Sequence, residues 1–389
     1  MSTWNTTMNR RQMLERLAAV SALPLGATLL SACGGSSSGS DISSATGTVR
    51  TLLWDGYADP KAYKPLTASG NITLKSAVMN TDEDPITKKG TYDVSVGVDG
   101  AYPAFRQIGL DQPLDKDKLA NLDGVLSSDV MFKSGTKFAA YTVDDDDKPH
   151  GIPFAWGVLA TTYRSDKVKA PESLDDFLSA PYAGKFAIGD DGPRVIGVVA
   201  KSMGLGGTDV LGRSPAPYLL TQADMDKVMA KLDQFKAKAQ NIVANPYGEY
   251  SSAYGRGEIV AAFPDWPPTA ATAQSGGVPV KTAIVPGAIS FMDNFFISSG
   301  VDATDADYAF LNQAIAESTQ YRIMKALAIA PVNRAALDRL VKEGPAWSDY
   351  EDVDAVLEAA PTAQTVPAES DTYLTLPQWL DRWEKFKAS

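Results

Sequence analysis

Apolar and polar positions switch between two periods along most of this chain. Residues 49–54, Val-Arg-Thr-Leu-Leu-Trp, are rich in β-branched and apolar side chains and end at the turn pair Asp55-Gly56. Residues 72–78 alternate apolar with polar side chains, and 92–98 form another short strand pattern closed by Asp99-Gly100. The same reading places strands at 185–188, 258–263, 278–285 and 294–297. Between them the spacing becomes helical. Thr221 is placed to cap a helix, with Asp224 three residues on and Met225, Val228, Met229, Leu232 and Phe235 along one face. Ser173 caps a shorter one before Leu174, Phe177 and Leu178, and Thr304 opens another that carries Tyr308, Leu311 and Ile315. Strands alternating with helices predict parallel-rich α/β layers in place of a sandwich or a bundle.

Two strand-like segments punctuated by Pro and Gly interrupt this alternation, 150–157 and 285–290. If both join the same two lobes, the architecture is a pair of α/β domains with a cleft between them, the kind of place ligands favour.

The N-terminus follows neither pattern. Arg10, Arg11 and Arg16 form a basic region, residues 17–32 are apolar, and Leu30-Ser31-Ala32 leads into Cys33, the one cysteine of the chain. That is the layout of a secretory signal, and it resembles the bacterial lipobox, in which cleavage leaves a lipid-bearing cysteine at the new N-terminus. The pair Arg10-Arg11 also resembles a twin-arginine export signal. About 16 residues at 1.5 Å rise are too short to cross a ~30 Å hydrocarbon core, so a membrane-spanning helix is disfavoured. The Gly/Ser/Thr-rich run 34–48 reads as a tether.

Removing residues 1–32, which carry three Arg and one Glu, leaves 357 residues and takes the formal charge from −11 to −13. That length suggests two domains. The acidic balance excludes nucleic acid as an expected partner and suits an amine-bearing one. With a single cysteine no intrachain disulfide forms. The run Asp144–Asp147 lacks the interleaved ligands and glycine of a hard-metal loop and reads as a solvated turn. No metal or cofactor is expected. His150, the lone histidine, would have to serve as the base of any Ser-His system, and no Gly-x-Ser-x-Gly elbow is present, so an exported hydrolase is disfavoured.

The chain resembles the polyamine-type extracellular solute-binding proteins of bacterial ABC importers, the spermidine/putrescine-binding group. The likeness runs over nearly the whole mature chain. It is carried by Leu53-Trp54-Asp55-Gly56-Tyr57, Tyr92-Asp93-Val94-Ser95-Val96, Gln112-Pro113-Leu114-Asp115-Lys116 and Pro153-Phe154-Ala155-Trp156-Gly157. It continues through Pro181-Tyr182-Ala183-Gly184-Lys185, Gly257-Glu258-Ile259 and Phe291-Met292-Asp293-Asn294. Each fragment alone is weak, but together they keep the family's order.

The resemblance implies a two-lobed type II periplasmic-binding-protein fold that closes on its ligand. It implies a monomer held to the membrane through Cys33, in the periplasm or on the cell surface, that delivers its solute to an ABC permease; a ligand-sensing lobe that signals through a membrane receptor is the alternative. Its implied regions are a signal at 1–32, a tether at 33–48, one lobe from 49–155 with 290–330, and a second from 156–289 with 331–389. Ammonium groups are recognised by carboxylates and by aromatic faces. The resemblance accordingly implies an aromatic wall from Trp54, an ionic contact from Asp293, help from Asp55 and Tyr57, and a pocket-lining loop at Asp99.

Three positions depart from the family pattern. Arg194 stands where the family places a second acid, Trp266 falls one position late after Asp265, and Ile329 replaces an aromatic. Two readings follow. Arg194 faces the cleft and selects a zwitterionic amino-carboxylate, or it turns outward and Asp265 supplies the lost acid.

Overall fold

The computed structural model describes residues 44–79, 84–126, 138–243 and 246–389. The signal, Cys33 and most of the tether therefore lie outside the described residues. Among the described residues ten strands, numbered β1 to β10 in chain order, form one sheet; eight follow the path β2-β1-β3-β9-β4-β7-β5-β6, and β8 and β10 pair with β4 beside it.

The first half of that path is β1 (Gly47–Leu53), β2 (Ile72–Val78) and β3 (Val94–Val98), with β1 parallel to both neighbours. The second half is β5 (Phe186–Gly189), β6 (Asn241–Val243) and β7 (Ala261–Asp265), again parallel around β5. The two halves are joined by β4 (Ile152–Arg164) and β9 (Ile289–Ile297). These antiparallel partners run from Ile152 opposite Phe295 to Leu159 opposite Ile289. Beyond Leu159, β4 leaves β9 and pairs with β7 and with β8 (Val280–Ala283), with a register shift between Ala160 and Thr162. Opposite Ala155 and Trp156 it also pairs with β10 (Ala330–Pro331). One strand thus serves both halves, which is why its first twelve positions are all buried.

Side-chain packing follows the same division into two lobes. One core gathers Leu52, Val94, Val96, Phe154, Trp156, Phe295 and Phe310, and the other Phe186, Ile188, Val195, Leu232, Phe263 and Trp379. In the second lobe the alternation of strand side chains feeds two faces. Phe186, Ile188, Ala261 and Phe263 enter the larger core, whereas Ala187 and Ala262 pack with Tyr250, Tyr254 and Ala270 on the other side. A sheet covered on both faces needs such uninterrupted burial.

The local signals place several elements well. Thr221 caps the helix Gln222–Lys236 by accepting from Asp224 N, and Thr304 forms a capping box with Asp307 on the helix Asp305–Ile315. Ser173 opens only a short 3-10 turn, Leu174–Leu178. The C-terminal region divides differently from the expected partition. Val332, Leu337, Leu340, Tyr350, Val356 and Leu357 join the first core, whereas Leu374, Trp379, Trp383 and Phe386 join the second, with Ala363 and Val366 packed against it. The stretch between Ala360 and Leu374 is consequently a third connection between the lobes. His150 sits just before β4, with Nδ1 3.1 Å from Asp111 and Nε2 3.2 Å from Asp144, as a buried structural residue. Of the four-aspartate run, Asp145, Asp146 and Asp147 are exposed and Asp144 organises the turn by accepting from Asp146 N and Lys148 N.

Candidate functional site

The carboxyl ends of β1, β3, β5 and β7 carry the candidate residues other than Asp293, at the edge where open α/β sheets place ligands. After β1 the chain turns sharply, with Tyr57 N donating to Trp54 O at 3.0 Å. Gly56 at the corner has φ +85°, and a Cβ there would stand 2.8 Å from Leu327. The turn delivers Tyr57 into the first core against Phe154, with ring centroids 4.8 Å apart, and its hydroxyl donates to Asp293 Oδ2 at 2.5 Å. Asp293 lies on β9, opposite Val98 on one side and Ala155 on the other. Two residues separated by 236 positions in sequence therefore form one unit, a carboxylate held by a buried phenol.

Phe291 is two residues before Asp293, on the same side of the strand, and both are partly buried while Met292 between them is fully so. Phe291 packs against both cores, so it marks the junction of the lobes. A Cβ on Gly157 would stand 2.8 Å from its ring, and glycine there leaves room for it. Trp266, at the end of β7 in the second lobe, packs against the first core and lies 5.9 Å from Phe291. Trp54, partly buried at the end of β1, packs on the first core as well. Tyr57, Phe291, Asp293 and Trp266 therefore lie where the lobes meet, and Trp54 stands across the turn from Tyr57. Asp55 is partly buried in the turn between Trp54 and Tyr57. Phe291 is not among the residues the sequence pattern singles out, although it stands at period-two spacing from Asp293.

Asp99 and Asp265 are placed otherwise than expected. Both are fully buried. Asp265 accepts from Thr162 Oγ1 at 2.5 Å, Thr269 Oγ1 at 2.6 Å and Trp266 N at 2.8 Å. Burial pushes its carboxyl up to about 7 against those three donors. It anchors Trp266 and the start of the helix Pro267–Ser275 and lines no open surface. Asp99, just past β3, accepts from Tyr141 N at 3.0 Å, and burial raises it to about 6. It holds a loop in place.

Arg194 sits on the first turn of the helix Gly192–Ser202, its side chain 44% exposed and paired with Asp191. The neighbouring Asp190 is engaged by Trp383 Nε1 at 2.6 Å and Lys387 Nζ at 3.0 Å, both from the C-terminal helix. Arg194 is thus a partly exposed guanidinium with a local acid partner, Asp191. Ile329 is buried in the first core, which accounts for an aliphatic side chain there.

Among the described residues no group of His, Cys, Asp and Glu is arranged to hold a metal ion. No helix among them is long and apolar enough to cross a membrane.

Two α/β lobes sharing crossing strands, with an acid and several aromatic side chains at their junction, define a periplasmic-binding-protein architecture. The chain belongs to the bacterial extracellular solute-binding protein family, whose model matches residues 61–355. It is similar to the spermidine/putrescine-binding periplasmic protein of Escherichia coli (strain K12), 22% identical over 298 residues that cover 75% of this chain and 79% of the relative. The fold is shared with the spermidine/putrescine ABC transporter substrate-binding protein PotD from Streptococcus pneumoniae. That structure has a TM-score of 0.66 at 18% identity, over 88% of this chain and 99% of that one. It is shared too with the Tp0655 (TpPotD) lipoprotein of Treponema pallidum, TM-score 0.65 at 14% identity, over 88% and 100%. The protein is thus a bacterial extracellular solute-binding protein.

Proposed function

We propose that the protein captures a small amine-bearing solute, a polyamine or a related amine, between its lobes and delivers it to an ABC permease. The observation that carries this reading is the Tyr57–Asp293 pair at the lobe junction, with Phe291 and Trp266 nearby and Trp54 across the turn from Tyr57. An ammonium group gains Coulomb attraction from the carboxylate and a cation–π contact of ~0.5–2 kcal/mol from a suitably placed ring. The phenol hydrogen bond fixes the carboxylate before the ligand arrives, which lowers the ordering cost of binding. The relatives' names, which give spermidine and putrescine as their ligands, support the same class.

Within this reading the chain is exported, lipidated at Cys33, and tethered as a monomer on the outer side of the cytoplasmic membrane. The two signals motivating that placement are the lipobox-like Leu30–Cys33 segment and the Gly/Ser run behind it.

Calorimetry of the mature protein with putrescine, spermidine and γ-aminobutyrate tests the ligand class, and small-angle scattering of the same samples tests closure. Saturable binding of a polyamine with a smaller radius of gyration is expected. Binding of γ-aminobutyrate alone would favour a zwitterionic cargo, and absence of heat and of compaction with all three would overturn the amine assignment.

A further inference from the structure

The second lobe reaches the first through a loop that belongs to none of the crossing segments. This loop, 205–216, connects the helices Gly192–Ser202 and Gln222–Lys236, both of which pack in the second core. It is internally braced. Gly207 N donates to Leu219 O at 2.8 Å and Ala216 N to Gly207 O at 2.9 Å. A Cβ on Gly206, which has φ +135°, would lie 2.2 Å from Ala216 O. Asp209 then organises the tip, its Oδ1 accepting from Leu211 N at 2.9 Å and Arg213 N at 2.8 Å. Its Oδ2 pairs with Arg213 Nε at 3.0 Å.

That preformed acid–guanidinium pair meets Tyr141, a fully buried residue of the first core. The Tyr141 hydroxyl donates to Asp209 Oδ2 at 2.7 Å, and Arg213 stacks 4.5 Å from the centre of its ring. The same hydroxyl accepts from Gln364 N at 2.7 Å, and Gln364 Oε1 accepts from Val210 N at 3.0 Å. Gln364 lies on the third connection between the lobes. Leu211 adds an apolar contact to the first core. Beneath Tyr141, Asp99 accepts from its backbone N–H. One phenol thus ties together the first lobe, the second lobe and the connection between them.

We propose that the loop 205–216 is a closure latch, engaging Tyr141 when the lobes approach and setting how long a captured solute is retained. This inference rests on the solute-binding reading for its role, though not for its geometry. Polar contacts suit a reversible latch because each group can exchange its partner for water at small net cost. No covalent connection holds the loop to the first lobe, so hinge bending about β4 and β9 separates Asp209 and Arg213 from Tyr141. Because the loop is braced internally, it keeps its shape when it lets go.

The test uses the full mature chain in a Cys33→Ser background, with spin labels on Asp123→Cys in the first lobe and Lys227→Cys in the second. Both positions are exposed. Tyr141→Phe keeps the stacked ring and removes the hydroxyl, Arg213→Gln removes the stacked cation, and circular dichroism verifies the fold of each. In ligand-free samples both variants are expected to shift the inter-label distances toward the longer population. With spermidine as probe they are expected to release it roughly tenfold faster, the effect of losing one or two hydrogen bonds. Gln364→Ala, which removes a single contact, is expected to fall between them and the parent. Distance distributions unchanged in both folded variants would overturn the latch and make the cluster a fixed part of the hinge. Should the parent bind no spermidine, the ligand assignment fails on its own, and the ligand-free distances still decide the latch.

Discussion

Replacing Asp293 by alanine tests its proposed contact with an ammonium group, and the size of the expected loss follows from its surroundings. Taking away one partner of a buried charge pair costs ~3–5 kcal/mol, because the other charge stays desolvated without compensation. Asp293 is partly buried, so the lower end applies, about 3 kcal/mol or roughly a hundredfold in Kd. Tyr57→Phe leaves the charge and removes a hydrogen bond to it, an interaction of ~1.5–3 kcal/mol when one partner is ionised. Part of that bond contributes to the free protein too, so the expected loss of affinity is smaller, about tenfold. Trp54→Leu removes at most a cation–π contact of ~0.5–2 kcal/mol. The order of severity is therefore Asp293→Ala, then Tyr57→Phe and Trp54→Leu. The double variant Asp293→Ala with Tyr57→Phe is expected to be scarcely worse than Asp293→Ala alone, since the phenol acts through the carboxylate. Titration calorimetry with spermidine and putrescine reads all of these, with thermal melts as the control for folding. Near-native affinity in Asp293→Ala, or fully additive losses in the double variant, would refute the reasoning.

Two further outcomes follow from the residues already described. Cys33→Ala is expected to release the protein from membranes, since stable anchoring needs a multiply acylated N-terminus, and mass spectrometry of the mature N-terminus with membrane fractionation checks it. Asp265 has its carboxyl raised from 3.8 to about 7, so the folded state binds its proton more tightly than the unfolded chain does. The stability this contributes is complete below about pH 4 and is lost as pH rises toward 7. Asp265→Asn keeps the acceptor for Trp266 N and cannot ionise. It is expected to flatten that decline and to raise stability above neutral pH, by up to a few kcal/mol. Chemical denaturation at pH values across the window would contradict the buried-acid account if both proteins showed the same slope.

Much of the architecture was legible along the chain because it depends on neighbours in sequence. The alternation in 72–78 reproduces β2 residue for residue, and Thr221 and Thr304 cap their helices through donors three positions away. Such signals need no knowledge of what the element packs against. The acids behaved differently. Asp99 and Asp265 stand at strand ends and Asp293 in the middle of β9, yet the local sequence offers all three alike as candidates. Only the assembled sheet separates them, since helix Pro267–Ser275 with Thr162 encloses one, the 138–141 loop covers another, and the third is left at the lobe junction. Burial is a property of long-range packing, and a carboxylate's chemistry follows its burial. The same holds for Arg194, whose local partner Asp191 is three residues away but whose direction relative to the junction depends on the whole second lobe. The C-terminal region makes the point most plainly. Its helical segments have apolar faces that suit either core. The strand pair of β10 with β4 commits 332–360 to the first lobe, while Trp379 and Trp383 carry the last helix to the second. Local periodicity determined which elements form, and the competition among buried surfaces for partners decided which lobe each element joins and which acid is left partly exposed.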